Sequence, residues 1–398
     1  MFDVAVVGGG VAGLFSAYHL ALRGYSVALA HSPGNGATRA SGGLVTPSFA
    51  SVARLTLSAA LRGLLGLGAF RVSARWALGN LGWIRMALSM ERPVGALARL
   101  AEHSLREYRA MLRGDLSGVY WVEGLVGLFR DPREALLFAS QFNGELVEES
   151  ELEEHGVRGL TGVLLREEIF VNPEELQESL LERLPGMGVR VIAGRVVSIR
   201  GDRSGVRLLL EGGERIVAEH AVIAAGSWSR ELLEGAGYRV PLAPARGLAL
   251  IVDSPGKLLD QPMLLEDYGV VIAPQGGSEH RITGFFELVG YERNWSPRRR
   301  GWLLGVIRRH APLLHDSLLR PKREYTGYRP CTPDEAPIVG RIPGTRIILN
   351  TGHCRLGITT APATARIVAD IVDNGGRGWA EELRALRPER FGLSRPKP

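Results

Sequence analysis

One stretch near the start constrains this chain more than any other. A short apolar run, Val4 to Val7, breaks at Gly8, and the spacing Gly8-x-Gly10-x-x-Gly13 opens a helix expected over Leu14 to Arg23. Four consecutive apolar residues fit a strand covered on both faces. Gly8 permits the tight turn, Gly10 lets the backbone approach a pyrophosphate, and Gly13 lets the helix lie close on the strand. The helix N-terminus offers unpaired N–H groups and a partial positive charge to phosphate oxygens, and Val11 and Ala12, inside the glycine spacing, are expected to contact the cofactor. Glycine-rich turns are common. This one gains weight because a strand precedes it, and a helix and a second strand, Tyr25–Ala30, follow it.

A dinucleotide fingerprint continues with an acidic residue about twenty positions on, bonding a ribose hydroxyl. That position is His31, with no Asp or Glu near it. A neutral imidazole can still donate or accept one hydrogen bond, so ribose contact passes to His31 or to other groups. Residues 33–47 are a loop of small residues holding Ser41, Gly42, Gly43 and Leu44. A flat ring system needs backbone able to come close, so this loop reads as cofactor contact rather than a flexible link.

The 398 residues suffice for two domains and a large core. No charge-free apolar run reaches the roughly eighteen residues a membrane-spanning helix needs, and no leader precedes the first strand. A cytoplasmic protein is expected, with peripheral contact at the inner membrane face as a second reading. The net charge of +6 rests on arginine, since there are only three lysines, Lys257, Lys322 and Lys397. Such charge could serve nucleic acid or an anionic surface. The arginines are scattered and no nucleic-acid motif occurs, so nucleic acid is excluded. Two cysteines, Cys331 and Cys354, are too few for a disulfide framework or a Cys-based zinc site and suit a reducing cytosol. No metal site is expected. Asn, Gln, Cys and Met are scarce, as in many thermophile proteins.

Residues 51–113 mix Leu, Ala and Arg at helical spacing, with Trp76, Trp83 and Met86 interleaved. They read as helices covering a second domain, or alternatively as a surface meeting a membrane, a partner protein or a second copy. Strand-like alternation follows over Val119–Phe129, and Glu145–Glu154 reads as a solvated helix face. Asn172-Pro173-Glu174-Glu175 is a helix start with Asn172 as N-cap. Strands are expected at Val189–Ala193, Val196–Arg200 and Ala221–Gly226, the last ending in small residues able to touch a ligand. Further strands alternate over 240–330 with one helix near Pro297–Leu314. The strand Arg346–Leu349 enters the loop Gly352-His353-Cys354-Arg355-Leu356-Gly357, and a helix is expected from about Thr360 to Val372.

Several separated stretches together resemble the D-amino-acid-oxidase superfamily. They are Gly8–Gly13, Ala40-Ser41-Gly42-Gly43-Leu44, Ala224-Ala225-Gly226-Ser227-Trp228-Ser229, Tyr328-Arg329-Pro330-x-Thr-Pro-Asp and Gly352-His353-x-Arg355-x-Gly357. Within the superfamily the chain is similar to glycine oxidase, the D-amino-acid dehydrogenases and the dye-linked proline dehydrogenases. The resemblance implies an α/β fold: a Rossmann-like FAD-binding domain (GR2-type) interleaved with a substrate domain built on a mixed β-sheet with helices. The FAD-binding domain would comprise 1–50, 150–232 and 328–390, and the substrate domain 51–149 and 233–327.

The resemblance also implies residue roles. The backbone of Val196 would contact adenine, and Ala225, Gly226 and Trp228 would lie by the cofactor. Arg329 would hold a substrate carboxylate, and Arg355 would lie near substrate and flavin edge. Gly352, Leu356, Gly357, Ile358 and Thr359 would surround the flavin pyrimidine ring. His353 is a candidate base whose family counterpart is chiefly structural. Some members attach FAD through a cysteine a few residues before the Thr-Pro-Asp. Cys331 stands directly beside Thr332, so non-covalent FAD is expected. The implied activity is oxidation of the CH–N bond of a small amino acid, proline or a D-amino acid. Electrons would pass to a quinone or similar acceptor, with an oxygen-using oxidase and a flavin-bearing subunit without turnover as alternatives.

Overall fold

The strand Phe2–Val7 turns Val4 and Val6 to one core and Ala5 and Val7 to another. Both faces are covered, as its unbroken apolar run requires. A computed structural model describes residues 1–34, 36–50, 68–254, 256 and 258–393. Arg190–Ala193, Val27–His31, Phe2–Val7, Arg215–Ile223 and Ile347–Thr351 lie side by side in parallel, and Ile338–Arg341 closes the edge antiparallel. The antiparallel strands Val196–Gly201 and Val206–Leu210 fold back onto Arg215–Ile223. The helices Val11–Leu22, Pro173–Gly186 and Gly357–Asn374 cover one face through Leu14, Phe15, Leu176, Leu180, Ile367 and Val368. This is a Rossmann-like layer. Asn172 caps its helix as expected, its side chain accepting from the N–H of Glu174 at 3.1 Å and of Glu175 at 3.4 Å.

The second sheet runs in the order Arg323–Cys331, Ala243–Asp253, Glu279–Leu288, Val270–Pro274, Met263–Leu265, Trp121–Phe129, Thr161–Val171 and Leu44–Val45. It is mixed: most pairs are antiparallel, but Met263–Leu265 runs parallel to Trp121–Phe129. Phe70–Val72 also runs parallel to Glu279–Leu288, taking its edge where Val270–Pro274 ends. Thr161–Val171 falls inside 150–232, and Arg323–Cys331 straddles position 328. Both belong to this second sheet, so the division by sheet cuts across those boundaries.

The helix Val94–Arg113 corrects the reading of 51–113 as helices over the second domain. It packs on the first layer, where Tyr108 meets Phe15 edge-on at 5.5 Å. Pro362 lies inside Gly357–Asn374 and has no N–H to give the carbonyl four residues back. That carbonyl belongs to Ile358, and the Tyr108 hydroxyl donates to it at 3.0 Å. Short helices at Ala74–Gly79 and Leu81–Ser89 leave Leu78, Leu81 and Leu88 exposed. Residues 51–67 lie outside the described residues. Among the described residues no helix is long and apolar enough to cross a membrane.

Candidate active site

A cavity of about 1630 Å³ is lined from both sheets. At its dinucleotide end stand Gly8, Gly10, Val11, Ala12, His31, Val196, Ala225, Gly226 and Trp228. Gly8 has φ +117°, and a Cβ there would sit 2.4 Å from the Ala224 carbonyl oxygen. Gly13 does not line the cavity. Its Cβ would lie 1.9 Å from the Gly8 carbonyl oxygen, so it is the packing glycine of helix on strand. Gly10 faces space: only Thr38 Oγ1, at 3.4 Å, is within reach of a Cβ. The Val11 N–H donates to Thr38 Oγ1 at 3.1 Å, and no side chain caps the helix at Gly10.

The carbonyl of Gly9 accepts from Gln177 Nε2 at 2.7 Å, and the His31 ring lies where a Gly9 Cβ would be. Burial, with Arg39 nearby, lowers the His31 pKa, which favours the neutral ring. Its Nδ1 is buried without a hydrogen-bond partner. An open glycine, a helix start with no capping residue of its own beyond Thr38, and an orphaned imidazole nitrogen are the features a bound FAD would use, so the residues present fit that group.

The two glycines can be told apart by experiment. Gly10→Ala is expected to keep the apo fold while weakening FAD by about 1–3 kcal/mol through crowding. Gly13→Ala meets backbone that cannot move aside and should lower the apo melting temperature as well. Titration of apoprotein with FAD, alongside thermal unfolding, checks both.

The loop Ser41-Gly42-Gly43-Leu44 also lines the cavity. Gly43 has φ +72°, and a Cβ there would lie 2.5 Å from the Phe170 ring and from the Val171 carbonyl. The loop is held by Arg281 of the second sheet, which is fully buried. Arg281 donates to the carbonyls of Arg39 at 2.6 Å and Ser41 at 3.3 Å, and pairs with Glu174. Leu356, Gly357 and Ile358 line the cavity opposite. Their helix begins at Gly357, earlier than the expected Thr360, again without a side-chain cap. Thr359 is not among the lining residues. Its hydroxyl accepts from the Thr46 N–H at 3.3 Å and donates to the Leu44 carbonyl at 3.1 Å, tying helix to loop. Gly352 is also outside the lining. With φ +82° and Thr332 Cγ2 2.8 Å from a would-be Cβ, it serves the turn.

Arg329 reaches the cavity from the strand Arg323–Cys331. Its side chain runs over Gly247, where a Cβ would lie 2.4 Å from Nη1. Nη1 donates to the Phe285 carbonyl at 2.8 Å. Phe285 holds φ +68°, rare for a bulky residue, and costs ~1–3 kcal/mol in backbone strain. Among the described residues no carboxylate pairs with Arg329. Burial, and next the charge of Arg355, push its pKa down to about 10, which still leaves it cationic at neutral pH. Arg355 lines the same cavity but is partly exposed, and it donates to Glu335 Oε2 at 2.7 Å.

His353 lines the cavity too, but burial pushes it down to about 4, so it is neutral. The Thr364 hydroxyl donates to the Ala361 carbonyl at 3.1 Å, which makes Thr364 Oγ1 the acceptor for His353 Nε2–H at 3.2 Å. This arrangement fits a structural histidine.

The two cysteines are bonded to each other, Cys331 to Cys354, which corrects the expectation of reduced thiols. The spacing in sequence gave no sign of it; the strand Arg323–Cys331 and the loop after Ile347–Thr351 meet through the Cys331–His353 bridge. The bond clamps the strand that carries Arg329 to the loop that carries Arg355. Replacing both by serine opens a 23-residue link and is expected to cost roughly 3 kcal/mol of stability by chain entropy. Equilibrium unfolding of wild type and variant, each with and without reductant, measures this; wild type under reductant should match the variant.

Thr38, Gln177, Arg281 and Phe285 were not singled out by sequence. Each acts on a neighbour distant in the chain, and only Thr38, inside the small-residue loop, carried a local signal.

The sequence profile described as FAD dependent oxidoreductase matches residues 3–371. A D-proline dehydrogenase from Pyrobaculum islandicum is 29% identical over 403 residues, covering 97% of this chain and 99% of that protein. A glycine oxidase from Bacillus cereus superposes with a TM-score of 0.75 at 21% identity, covering 97% of each chain. An L-proline dehydrogenase from P. horikoshii superposes with a TM-score of 0.70 at 18% identity, covering 99% of each.

Proposed function

The chain belongs to the FAD-dependent oxidoreductase family, and from that premise we propose that it oxidises the CH–N bond of a small amino acid, proline or a D-amino acid. The observation that carries this is Arg329: a half-buried guanidinium in the cavity with no carboxylate of its own among the described residues. A buried charge without a partner is costly, and a substrate carboxylate supplies one in the two-pronged geometry that arginine favours. FAD, when bound, supplies the hydride acceptor. The protein's part is orientation: Arg329 fixes the carboxylate, so the α-hydrogen is presented in one direction. The glycine-lined end, with the two helix starts, holds the dinucleotide. Attachment is non-covalent in this reading, because both cysteine sulfurs are engaged with each other.

The acceptor is a quinone or another electron carrier rather than oxygen; likeness to a D-proline dehydrogenase supports this. The second reading is an oxidase, favoured by the superposition on glycine oxidase. Anaerobic mixing with a panel of D- and L-amino acids, proline and glycine included, tests the function: proline or a D-amino acid should bleach the flavin absorbance. Dye reduction without peroxide in air supports the dehydrogenase, and strong peroxide with glycine supports the oxidase. A flavin bleached by no amino acid would sink the function.

A further inference from the structure

Arg329 accounts for one end of a zwitterionic substrate. The other end carries a positive nitrogen. Of the acidic residues that line the cavity, Glu134 is exposed, Glu231 pairs with Arg195 and Asp267 accepts from the Arg130 N–H, while Glu266 has a buried oxygen that nothing among the described residues satisfies. The strands Met263–Leu265 and Val270–Pro274 pair antiparallel and are joined by the turn Glu266–Gly269. Gly269, at φ +58°, closes this turn. Glu266 and Tyr268 both line the cavity.

The turn is fastened on two sides. The Arg130 N–H donates to Asp267 Oδ2 at 2.9 Å. His310 Nδ1–H donates to the Arg158 carbonyl at 2.9 Å, which leaves Nε2 to accept the Tyr268 hydroxyl at 2.9 Å. Glu266 Oε1, between these anchors, is closed to solvent and has no hydrogen-bond partner among the described residues. The residue lines the cavity from a turn held on both sides, and a carboxylate with one oxygen buried lacks a donor there.

The charged groups acting on Glu266 are Arg355 and Asp267, and Arg355 acts on Arg329 as well. Glu266 and Arg329 both line the cavity. Burial, opposed by Arg355 and reinforced by Asp267, pushes the Glu266 carboxyl up to about 8. A carboxyl in that range exchanges a proton near neutral pH, as a base must.

We propose that Glu266 receives the substrate ammonium group and takes one proton from it while Arg329 holds the carboxylate; this rests on the amino-acid oxidation proposed above. In the step an N–H bond breaks, an O–H bond forms on Glu266, and the electron pair stays on nitrogen. No electrons leave, so the step needs no oxidant. The freed lone pair is what oxidation at the α-carbon requires. The proton returns to solvent after product leaves.

The test uses FAD-bound protein without oxygen, wild type and Glu266→Gln, titrated with D- and L-proline and with cyclopentanecarboxylate, the same skeleton lacking nitrogen. Ligand binding is read from the flavin spectrum. Glu266→Gln is expected to weaken whichever proline isomer binds by at least about tenfold, and to leave cyclopentanecarboxylate unchanged or tighter. In wild type, kcat/KM should rise with pH through a limb near about 8. In the variant that limb should move to the pKa of the amine itself.

Equal weakening of both ligands, or none, would overturn the role of Glu266, as would a wild type that binds neither proline isomer better than cyclopentanecarboxylate. Wild-type binding comparisons across pH stand even where the variant folds poorly: cyclopentanecarboxylate should weaken above about pH 8 as Glu266 ionises, and an unchanged affinity would overturn the role. If no amino acid bleaches the wild-type flavin, the function itself fails and this role fails with it. A bleached wild type with an indifferent variant removes Glu266 alone.

Discussion

Arg329→Ala should lower kcat/KM for the amino acid by about 30- to 5000-fold, the kinetic equivalent of the ~2–5 kcal/mol lost when one partner of a buried charge pair is removed. The loss should appear as weaker saturation of anaerobic flavin reduction, because the guanidinium holds the substrate before and during transfer. FAD content should stay near wild type, since the dinucleotide end of the cavity is built from other segments. Arg329→Lys keeps a cation without the fork and should fall between. Gly247→Ala offers an independent check: its Cβ would stand 2.4 Å from Arg329 Nη1 and push the side chain aside. If Arg329→Ala reduces its flavin with unchanged amino-acid affinity, Arg329 is not the anchor.

How much of this was legible in the sequence follows from the range of each interaction. The Gly8–Gly13 turn and the Asn172 cap are local, so spacing alone places them. The strand order is set by pairings more than a hundred residues apart, such as Val222 with Ile348, and resemblance rather than periodicity anticipated that layer. The segment 94–113 was assigned to the wrong layer, because its amphipathic spacing shows which face is apolar but not what covers it. The disulfide depends on where a strand end meets a distant loop, and the carbonyl under Tyr108 on where two distant helices pack. Among the site residues, the arginines were found through their motifs. Glu266 was not, since an acid in a hairpin turn reads as ordinary surface until the cavity behind it is seen.

Glu287→Gln is the second change with a large expected effect, and it bears on stability first. Glu287 is fully buried in the strand Glu279–Leu288 between two buried arginines. Arg246 pairs with its Oε2, and Arg299 Nε lies 2.6 Å from its Oε1. Each arginine is otherwise committed. Arg246 donates to the carbonyls of Glu292 and Asn294 and lies over Trp295, while Arg299 donates to the carbonyls of Gly68 and Ala69 and lies 4.4 Å over the Phe285 ring. Removing the shared anion leaves Arg299 buried without a counter-charge among the described residues and Arg246 with only the half-exposed Glu292, 3.7 Å away, so a loss of about 3–5 kcal/mol is expected.

Thermal unfolding of apo and FAD-bound protein measures this, and a shift within error of zero would show the cluster to be dispensable. The same variant should also touch the site. Arg299 packs over the Phe285 ring, and the Phe285 carbonyl accepts from Arg329. KM for the amino acid should therefore rise more than kcat falls. The effects of Glu287→Gln and Arg329→Ala on kcat/KM should fall short of additive, because both act through one guanidinium. Full additivity would mean that the buried cluster and the substrate anchor are independent, and that the strain at Phe285 has no part in placing Arg329.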